Sequence, residues 1–79
     1  MRVVWTPQAL RDRRRIWSYI AEHHIAAAAR LDRRFAQAVT NLEAHPLMGY
    51  KGFVHNTRYL TPAPNYRIQY EQEDDVCWI

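Results

Sequence analysis

The feature that most constrains this chain is an apolar stripe between residues 26 and 44. Its members recur every three or four residues and so share one side of an α-helix: Ala28, Leu31, Phe35, Ala38 and Leu42. Such a stripe must be buried against another element, so this helix predicts a packed core. We predict a helix from about Ala26 to Ala44, ended by His45-Pro46, because the residue before a proline is pushed out of the helical region.

An earlier helix is predicted from Pro7 to about Glu22. Thr6 supplies an N-cap, and proline at the first helical position loses nothing by lacking its N–H. Residues 23–25 interrupt the periodicity, and a break this short predicts an antiparallel helical hairpin. The aromatic side chains at core-like positions are predicted to be mostly buried: Trp5, Trp17, Phe35, Tyr66 and Tyr70.

The rest of the chain predicts strands and turns. In chain order these are a β-prone run Arg2–Trp5, a loop Met48–Gly52, a strand Phe53–Leu60, a turn Pro62–Asn65, a strand Tyr66–Tyr70, an acidic turn Glu71–Asp75 and a last strand Val76–Ile79. We therefore predict one α+β domain over residues 1–79, of order β-α-α-β-β-β. The helical hairpin should cover one face of a small, mostly antiparallel sheet.

Charge is unevenly distributed along the chain. Residues 1–60 carry ten basic and four acidic side chains, whereas residues 61–79 carry one basic and four acidic side chains. Ten of the eleven basic residues are arginine, whose planar fork binds carboxylate or phosphate through two hydrogen bonds. The basic part of the chain therefore suits either an acidic protein or a nucleic acid.

Several classes of protein are disfavoured by the sequence. Cys77 is single, which excludes an intramolecular disulfide and suits a reducing cytoplasm. No apolar run has the length of a signal peptide or a membrane span. The four histidines lack zinc-ligand spacing, so neither a metal nor another cofactor is predicted.

Three ordered segments resemble the ParE/RelE toxin superfamily, and its ParE branch in particular. They are VVWTPQALRDRRRIWSYIAEHHIAAAARL, NLEAHPLMGYKGFVHNTRYL and NYRIQY. The resemblance implies a toxin of a type II toxin–antitoxin system that inhibits DNA gyrase, arrests growth, stabilises plasmids and is neutralised by a ParD-like antitoxin. Members of the family continue the last strand further, so the resemblance also predicts a C-terminal strand cut short at Ile79.

The resemblance, together with arginine chemistry, selects the candidate contact residues. Arg58 and Arg67 match the family's TR and YR positions on adjacent predicted strands, where they would form a basic sheet surface. Arg13 and Arg14 belong to a basic run on the first helix, although such runs are more often simply solvated. Tyr50, Lys51 and Trp78 complete the predicted antitoxin- or target-binding set.

Two alternatives to gyrase inhibition remain open at this point. A RelE-like ribosome-dependent mRNA endonuclease would need acid–base and phosphate-binding groups close together, and Arg58, Arg67 and His55 are the residues that could supply them. An inactive, shortened form that only binds an antitoxin is the other alternative. Cleavage is the less favoured of these activities, because the segment beyond Ile79 usually donates part of the catalytic set.

Overall fold

Two helices and five strands make up the chain in a computed structural model that describes all 79 residues. In chain order they are β1 (Arg2–Val4), α1 (Pro7–Ala21), α2 (Ile25–Ala44), β2 (Tyr50–Lys51), β3 (Thr57–Ala63), β4 (Tyr66–Glu73) and β5 (Val76–Trp78). The predicted α+β class and the order of the main elements are confirmed. One two-residue strand, β2, is added within the stretch predicted as a loop.

Side-chain caps set where both helices begin. The Thr6 hydroxyl accepts a hydrogen bond from the Ala9 N–H at 3.2 Å, and Pro7 follows at the first helical position. His24 caps α2 through Nδ1, which accepts from the Ala27 N–H at 3.0 Å. The two histidines of the break thus lie in the predicted connection, where His24 satisfies an N–H that the helix leaves without a partner.

The sheet is mixed and has the strand order β1-β5-β4-β3-β2. The predicted antiparallel meander of the last three strands is confirmed, since β3 pairs with β4 and β4 with β5 in antiparallel fashion. β1 pairs with β5 in parallel, with Val3 opposite Cys77. The first and last strands are therefore neighbours, and the connection between β1 and β2 crosses over through both helices.

The prediction of a strand over Phe53–Leu60 is wrong for residues 53–56. Residues 53–56 form a bend and a turn, in which Asn56 has a left-handed backbone with φ of 63°. Asparagine tolerates that region better than most residues do, so the chain reverses here. The strand therefore begins at Thr57, and His55, predicted on a strand face, lies in the turn instead.

The second proline-rich turn is shorter than predicted. β3 continues through Pro62 to Ala63, and the reversal is confined to Pro64-Asn65, where Asn65 has φ of 68°. Pro62 is tolerated because the pairing with β4 is irregular between Leu60 and Ala63. The acidic turn narrows in the same way, to Asp74-Asp75, because β4 extends to Glu73.

The core joins one face of α2 to the inner face of the sheet. Its buried members are Phe35, Val39, Leu42, Leu60, Ile68, Tyr70 and Cys77. The predicted stripe of α2 is thus confirmed, and so is the alternation that buries Ile68 and Tyr70 while exposing Arg67 and Gln69. Trp17 was predicted in the core but is 37% exposed, because α1 packs mainly on α2 and has no fully buried residue.

Candidate binding surfaces

Arg58 and Arg67 occupy adjacent strands, as predicted, but leave the sheet on opposite faces. Arg58 lies opposite Tyr70, whose side chain is buried on the helix side. Arg67 precedes buried Ile68 and is exposed on the outer face, because neighbouring side chains of a strand alternate between faces. The two arginines therefore do not form the single basic sheet surface that the sequence suggested.

On the inner face, the side chains of Arg58 and Tyr70 form hydrogen bonds with the backbone of residues 46–49. We call this set of hydrogen bonds the 46–49 clamp. Arg58 Nη1 donates to the carbonyl oxygens of Gly49 at 2.8 Å and Leu47 at 3.3 Å. The Tyr70 hydroxyl donates to the Pro46 carbonyl oxygen at 2.7 Å and accepts from the Gly49 N–H at 3.1 Å. Arg58 is consequently engaged with the chain's own carbonyls, and it positions the segment that leads into β2.

Tyr70→Phe tests the 46–49 clamp. Burial raises the pKa of the Tyr70 hydroxyl above its ordinary value of 10.0, although the Gly49 N–H and the Arg58 charge oppose that rise. A raised folded-state pKa gives stability that is present below pH 10 and is lost as pH rises further. We expect Tyr70→Phe to lower the free energy of unfolding at neutral pH by about 1–3 kcal/mol, because the Gly49 N–H loses its acceptor.

Urea unfolding at pH 7 and at a pH above 10 provides the measurement. Wild type should lose stability over this interval, and Tyr70→Phe should lose less because phenylalanine cannot ionise. Tyr50→Phe is the matched control, since Tyr50 is an exposed tyrosine outside the clamp. Equal alkaline losses in wild type and Tyr70→Phe would show that this hydroxyl is not held as described.

On the outer face, three side chains stack across three strands, and we call them the Arg67 stripe. The Arg67 guanidinium carbon lies 4.0 Å from the centroid of the Tyr59 ring. The Tyr59 ring in turn lies 5.5 Å from the ring of Tyr50 on β2. A cation so close to an aromatic face is attracted by the ring's negative centre, so the stripe orders Arg67 while leaving it exposed.

A cavity of about 270 Å³ lies beside the Arg67 stripe, between it and the loop that precedes β3. Lys51, Phe53 and Val54 line it together with Tyr59 and Arg67, and no acidic side chain is among its lining residues. The structure thus brings Tyr50, Lys51 and Arg67 onto one exposed surface. The surface is cationic and aromatic, and it can receive an anionic group beside a flat or apolar one.

His55 lies away from this cavity. It lines a larger cleft, of about 700 Å³, whose lining also includes the basic Lys51 and Arg58 and the acidic Glu73 and Asp74. His55 and Arg67 therefore line different clefts. Of the set predicted for RNA cleavage, Arg58 lines both clefts, but its guanidinium is held by the carbonyl oxygens of Leu47 and Gly49. The structure therefore does not bring all three side chains into one cleft.

Arg13, a predicted contact residue, is held within the helical hairpin. Its Nε and Nη2 donate to the two carboxylate oxygens of Asp32 at 2.6 and 2.9 Å, and its guanidinium carbon lies 4.8 Å from the Trp5 ring centroid. Arg14 is exposed beside a shallow cleft that also includes Leu10 and Trp17. Arg13 thus joins α1 to α2 through its ion pair with Asp32, whereas the side chain of Arg14 is exposed to solvent.

The Arg13–Asp32 pair predicts an acid-dependent loss of stability. The hydrogen bond from Arg13 is the main cause that lowers the pKa of Asp32 below its ordinary 3.8, and burial opposes it. A lowered folded-state pKa gives stability that is present above about pH 4 and is lost as pH falls further. Asp32→Asn should therefore cost up to about 1 kcal/mol at neutral pH, since the pair is partly exposed.

Thermal unfolding of wild type and Asp32→Asn at pH 7 and at about pH 3 measures this contribution. The difference in melting temperature between wild type and Asp32→Asn should be smaller at the lower pH, because wild-type Asp32 is then increasingly protonated. Glu43→Gln is the control, since Glu43 is an exposed carboxylate near the far end of α2. An unchanged difference at the two pH values would contradict the assigned ion pair.

A groove of about 290 Å³ runs between α1 and the first half of β4. Its apolar lining comes from both layers: Trp5, Ala9, Ile16, Phe35, Tyr66, Ile68 and Ile79. On the same side of β4, β5 pairs only with residues from Glu71 onwards. Sequence reasoning missed this groove, because it depends on how far β5 extends along β4.

Trp78, the last predicted contact residue, lies opposite Glu71 and is partly exposed. Neither helix is both long and apolar enough to cross a membrane. No group of three or more His, Cys, Asp or Glu side chains is placed to hold a metal ion.

Comparison with known families identifies the chain over nearly its whole length. The model of the ParE toxin of the type II toxin–antitoxin system parDE matches residues 3–79. The chain belongs to the ParE toxin family. A search of curated proteins finds no match.

Membership of the ParE toxin family makes the chain the toxin of a type II toxin–antitoxin system, with a cognate antitoxin as its partner. For this ParE-family toxin, the resemblance read from the three ordered segments is confirmed. Sequence reasoning missed two surface features: the groove beside β4, and Phe53 and Val54, which were assigned to a strand but project from a loop. Two adjacent large apolar residues directly after Gly52 were the available signal for the second.

Proposed function

We propose that this ParE-family toxin acts in the cytoplasm by inhibiting DNA gyrase, and that a ParD-like antitoxin neutralises it. The family match over residues 3–79 carries the proposal. The geometry supports action by binding, because Arg58 is committed to the 46–49 clamp and the remaining residues predicted for cleavage line separate clefts. Growth arrest follows if gyrase can no longer relieve the strain of replication, and plasmid stabilisation follows if only plasmid-bearing cells keep making antitoxin.

The groove beside β4 suits a flexible antitoxin segment. Its concave, mostly apolar lining can bury apolar side chains of such a segment. Arg67 also lines the groove and can meet a carboxylate of the segment. An acidic antitoxin tail with apolar residues would therefore match both the shape and the charge of the groove.

RNA cleavage is kept as a second candidate because of the Arg67 stripe. Exposed tyrosines on an open sheet face can stack on unpaired bases, and Arg67 and Lys51 can contact phosphates. The stripe supports RNA binding more than cleavage, since it lacks a neighbouring proton acceptor. A RelE-like activity would therefore need the ribosome to supply part of the chemistry.

Induction of the full chain in growing cells separates these functions. We expect growth arrest, altered supercoiling of plasmid DNA recovered from the cells, and intact messenger RNA, with growth restored by co-expression of the antitoxin from the neighbouring reading frame. Transcripts cleaved during arrest, with normal plasmid supercoiling, would replace gyrase inhibition by the second candidate. Harmless expression of a chain that still captures antitoxin would instead identify the inactive form.

A further inference from the structure

Exposed apolar side chains are concentrated in one short segment. Eleven large hydrophobic residues of the chain are exposed, and five of them lie between residues 47 and 54: Leu47, Met48, Tyr50, Phe53 and Val54. Phe53 has a relative exposure of 110%, the highest of all, and Val54 is 65% exposed. Single exposed apolar residues are ordinary, but a cluster of this kind marks an interaction surface.

The loop that carries Phe53 and Val54 is tied down at its base. The Gly52 N–H donates to the Thr57 carbonyl at 3.0 Å, and the Thr57 N–H and hydroxyl both donate to the Val54 carbonyl, at 3.1 and 2.6 Å. The Gln72 N–H on β4 donates to the Asn56 carbonyl at 3.1 Å. Because the backbone is fixed on both sides, Phe53 is exposed to water on an ordered loop. Little conformational entropy of the loop is therefore lost when a partner binds.

The shape of this loop tip distinguishes its partner from that of the groove beside β4. The groove beside β4 is concave, so its partner must supply the protruding side chains, as a flexible segment can. Phe53 and Val54 are themselves convex, so they fit a cavity that already exists on a folded protein. Buried aromatic anchors in preformed pockets are the residues that most often dominate the affinity of protein interfaces.

The charges around the tip indicate the character of that pocket. Lys51 lines both clefts that flank the tip, His55 stands on one side, and Arg67 lines the cavity on the other. Glu73 and Asp74 line the larger cleft but not the cavity beside the Arg67 stripe. The side of the tip towards the Arg67 stripe is therefore purely cationic, which favours a pocket rimmed by carboxylates.

We propose that Phe53 and Val54 insert into an apolar, acid-rimmed pocket of the folded protein that this toxin inhibits. The tip is thus the target-binding element, and it is separate from the groove assigned to the antitoxin. This inference deepens the proposed function and rests on it for the identity of the target. It predicts that toxicity and antitoxin binding can be separated by substitutions at residues 53 and 54.

The test compares the full chain with Phe53→Ser and Val54→Ser, and with Ile25→Ser as the matched control. Ile25 is 68% exposed at the start of α2, so it resembles Val54 in apolar character and exposure but lies outside the tip. Three quantities are measured: the induction level that arrests growth, the concentration that halves gyrase supercoiling, and the Kd for the antitoxin. Urea unfolding checks that each variant is folded, and Phe53→Leu, which keeps an apolar side chain, serves if Phe53→Ser is not.

We expect Phe53→Ser to raise the half-inhibiting concentration by about 30-fold or more, as for the truncation of an interface anchor. Val54→Ser should raise it less, and the antitoxin Kd should stay within about twofold for every variant. Lys51→Glu should also weaken inhibition, because it places a like charge against the acidic rim. Ile25→Ser should behave as wild type in all three measurements.

Other results overturn the inference or separate it from the proposed function. One such result is that wild type arrests growth without affecting gyrase while Phe53→Ser abolishes the arrest. Gyrase would then be the wrong target, but the tip would still contact the protein that the toxin does inhibit. If Phe53→Ser arrests growth as wild type does, or loses the antitoxin equally, the inference fails. It also fails if wild type does not arrest growth at all. Phe53-dependent sedimentation with phosphatidylglycerol vesicles, or Phe53-dependent dimerisation, would assign the tip to a lipid surface or a second copy and overturn it as well.

Discussion

Gly49→Ala is expected to lower the free energy of unfolding by about 3 kcal/mol, as overpacking does at a site that cannot relax. A Cβ atom at Gly49 would lie 2.8 Å from the Tyr70 ring and hydroxyl and 2.9 Å from the Tyr59 carbonyl oxygen. Backbone and a buried ring cannot both move aside, so the 46–49 clamp must open. Gly49 does not line the groove proposed for the antitoxin, so antitoxin binding should persist at temperatures where the variant is folded.

Gly52→Ala is the matched comparison for Gly49→Ala. Its Cβ atom would lie 2.6 Å from the Thr57 hydroxyl oxygen, and the next nearest atom would be 3.5 Å away. The hydroxyl can rotate away if it gives up its bond to the Val54 carbonyl, so we expect a loss of only about 1 kcal/mol. Urea unfolding of the two variants measures the difference, and equal losses would contradict the described packing of Gly49.

Leu42→Ala is expected to have a still larger effect, about 3–4 kcal/mol, which is the cost of a cavity in a fully packed core. Leu42 has no exposed surface, and it lies where α2 packs on β3. A chain of this length has a total stability of about 4–12 kcal/mol, so the variant loses about a quarter or more of that stability and should melt at a clearly lower temperature. Circular dichroism during heating measures the shift.

Leu47→Ala is the control, because the same substitution is made five residues later at a side chain that is 63% exposed. We expect a change in the free energy of unfolding of less than about 0.5 kcal/mol there. A similar melting temperature for Leu42→Ala and Leu47→Ala would contradict the assignment of Leu42 to the core.

The helices and their packing could be predicted from the sequence because local signals agreed with the final fold. The stripe of α2 has a period that only a helix satisfies, and Thr6-Pro7 fixes the start of α1 by capping chemistry. Tyr66 to Tyr70 alternates, so the buried face of β4 could be read directly. These features depend on neighbours in the sequence, and the structure confirms them.

The loop before β3 and the faces of the two arginines could not be predicted, because they depend on register. The predicted strand began at Phe53, and only the left-handed Asn56 and the pairing of Arg58 with Tyr70 show where β3 starts and which way Arg58 points. A change of one residue in register exchanges the two faces of a strand. The exposure of Trp17 was missed for a related reason, since a helix that packs mainly on another helix buries a narrower stripe.

Arg58 and Phe53 have different roles: Arg58 stabilises the fold, and Phe53 is proposed to contact the target. Arg58 faces inward, and with Tyr70 it fixes the segment that leads into β2, whereas Phe53 stands in solvent on the loop between β2 and β3. Loss of function in Arg58→Ala would therefore follow from a displaced loop, and it should be accompanied by lower stability. Loss of function in Phe53→Ser should leave stability unchanged, because that side chain has no contacts to lose.

A supercoiling assay with purified components tests most directly whether this ParE-family toxin acts by binding gyrase. Wild-type chain is added to DNA gyrase, relaxed plasmid and ATP, and Ile25→Ser and Phe53→Ser are assayed in parallel. We expect wild type and Ile25→Ser to block supercoiling at micromolar concentration, and purified antitoxin to restore it. Normal supercoiling at a large excess of folded wild-type chain would contradict gyrase inhibition.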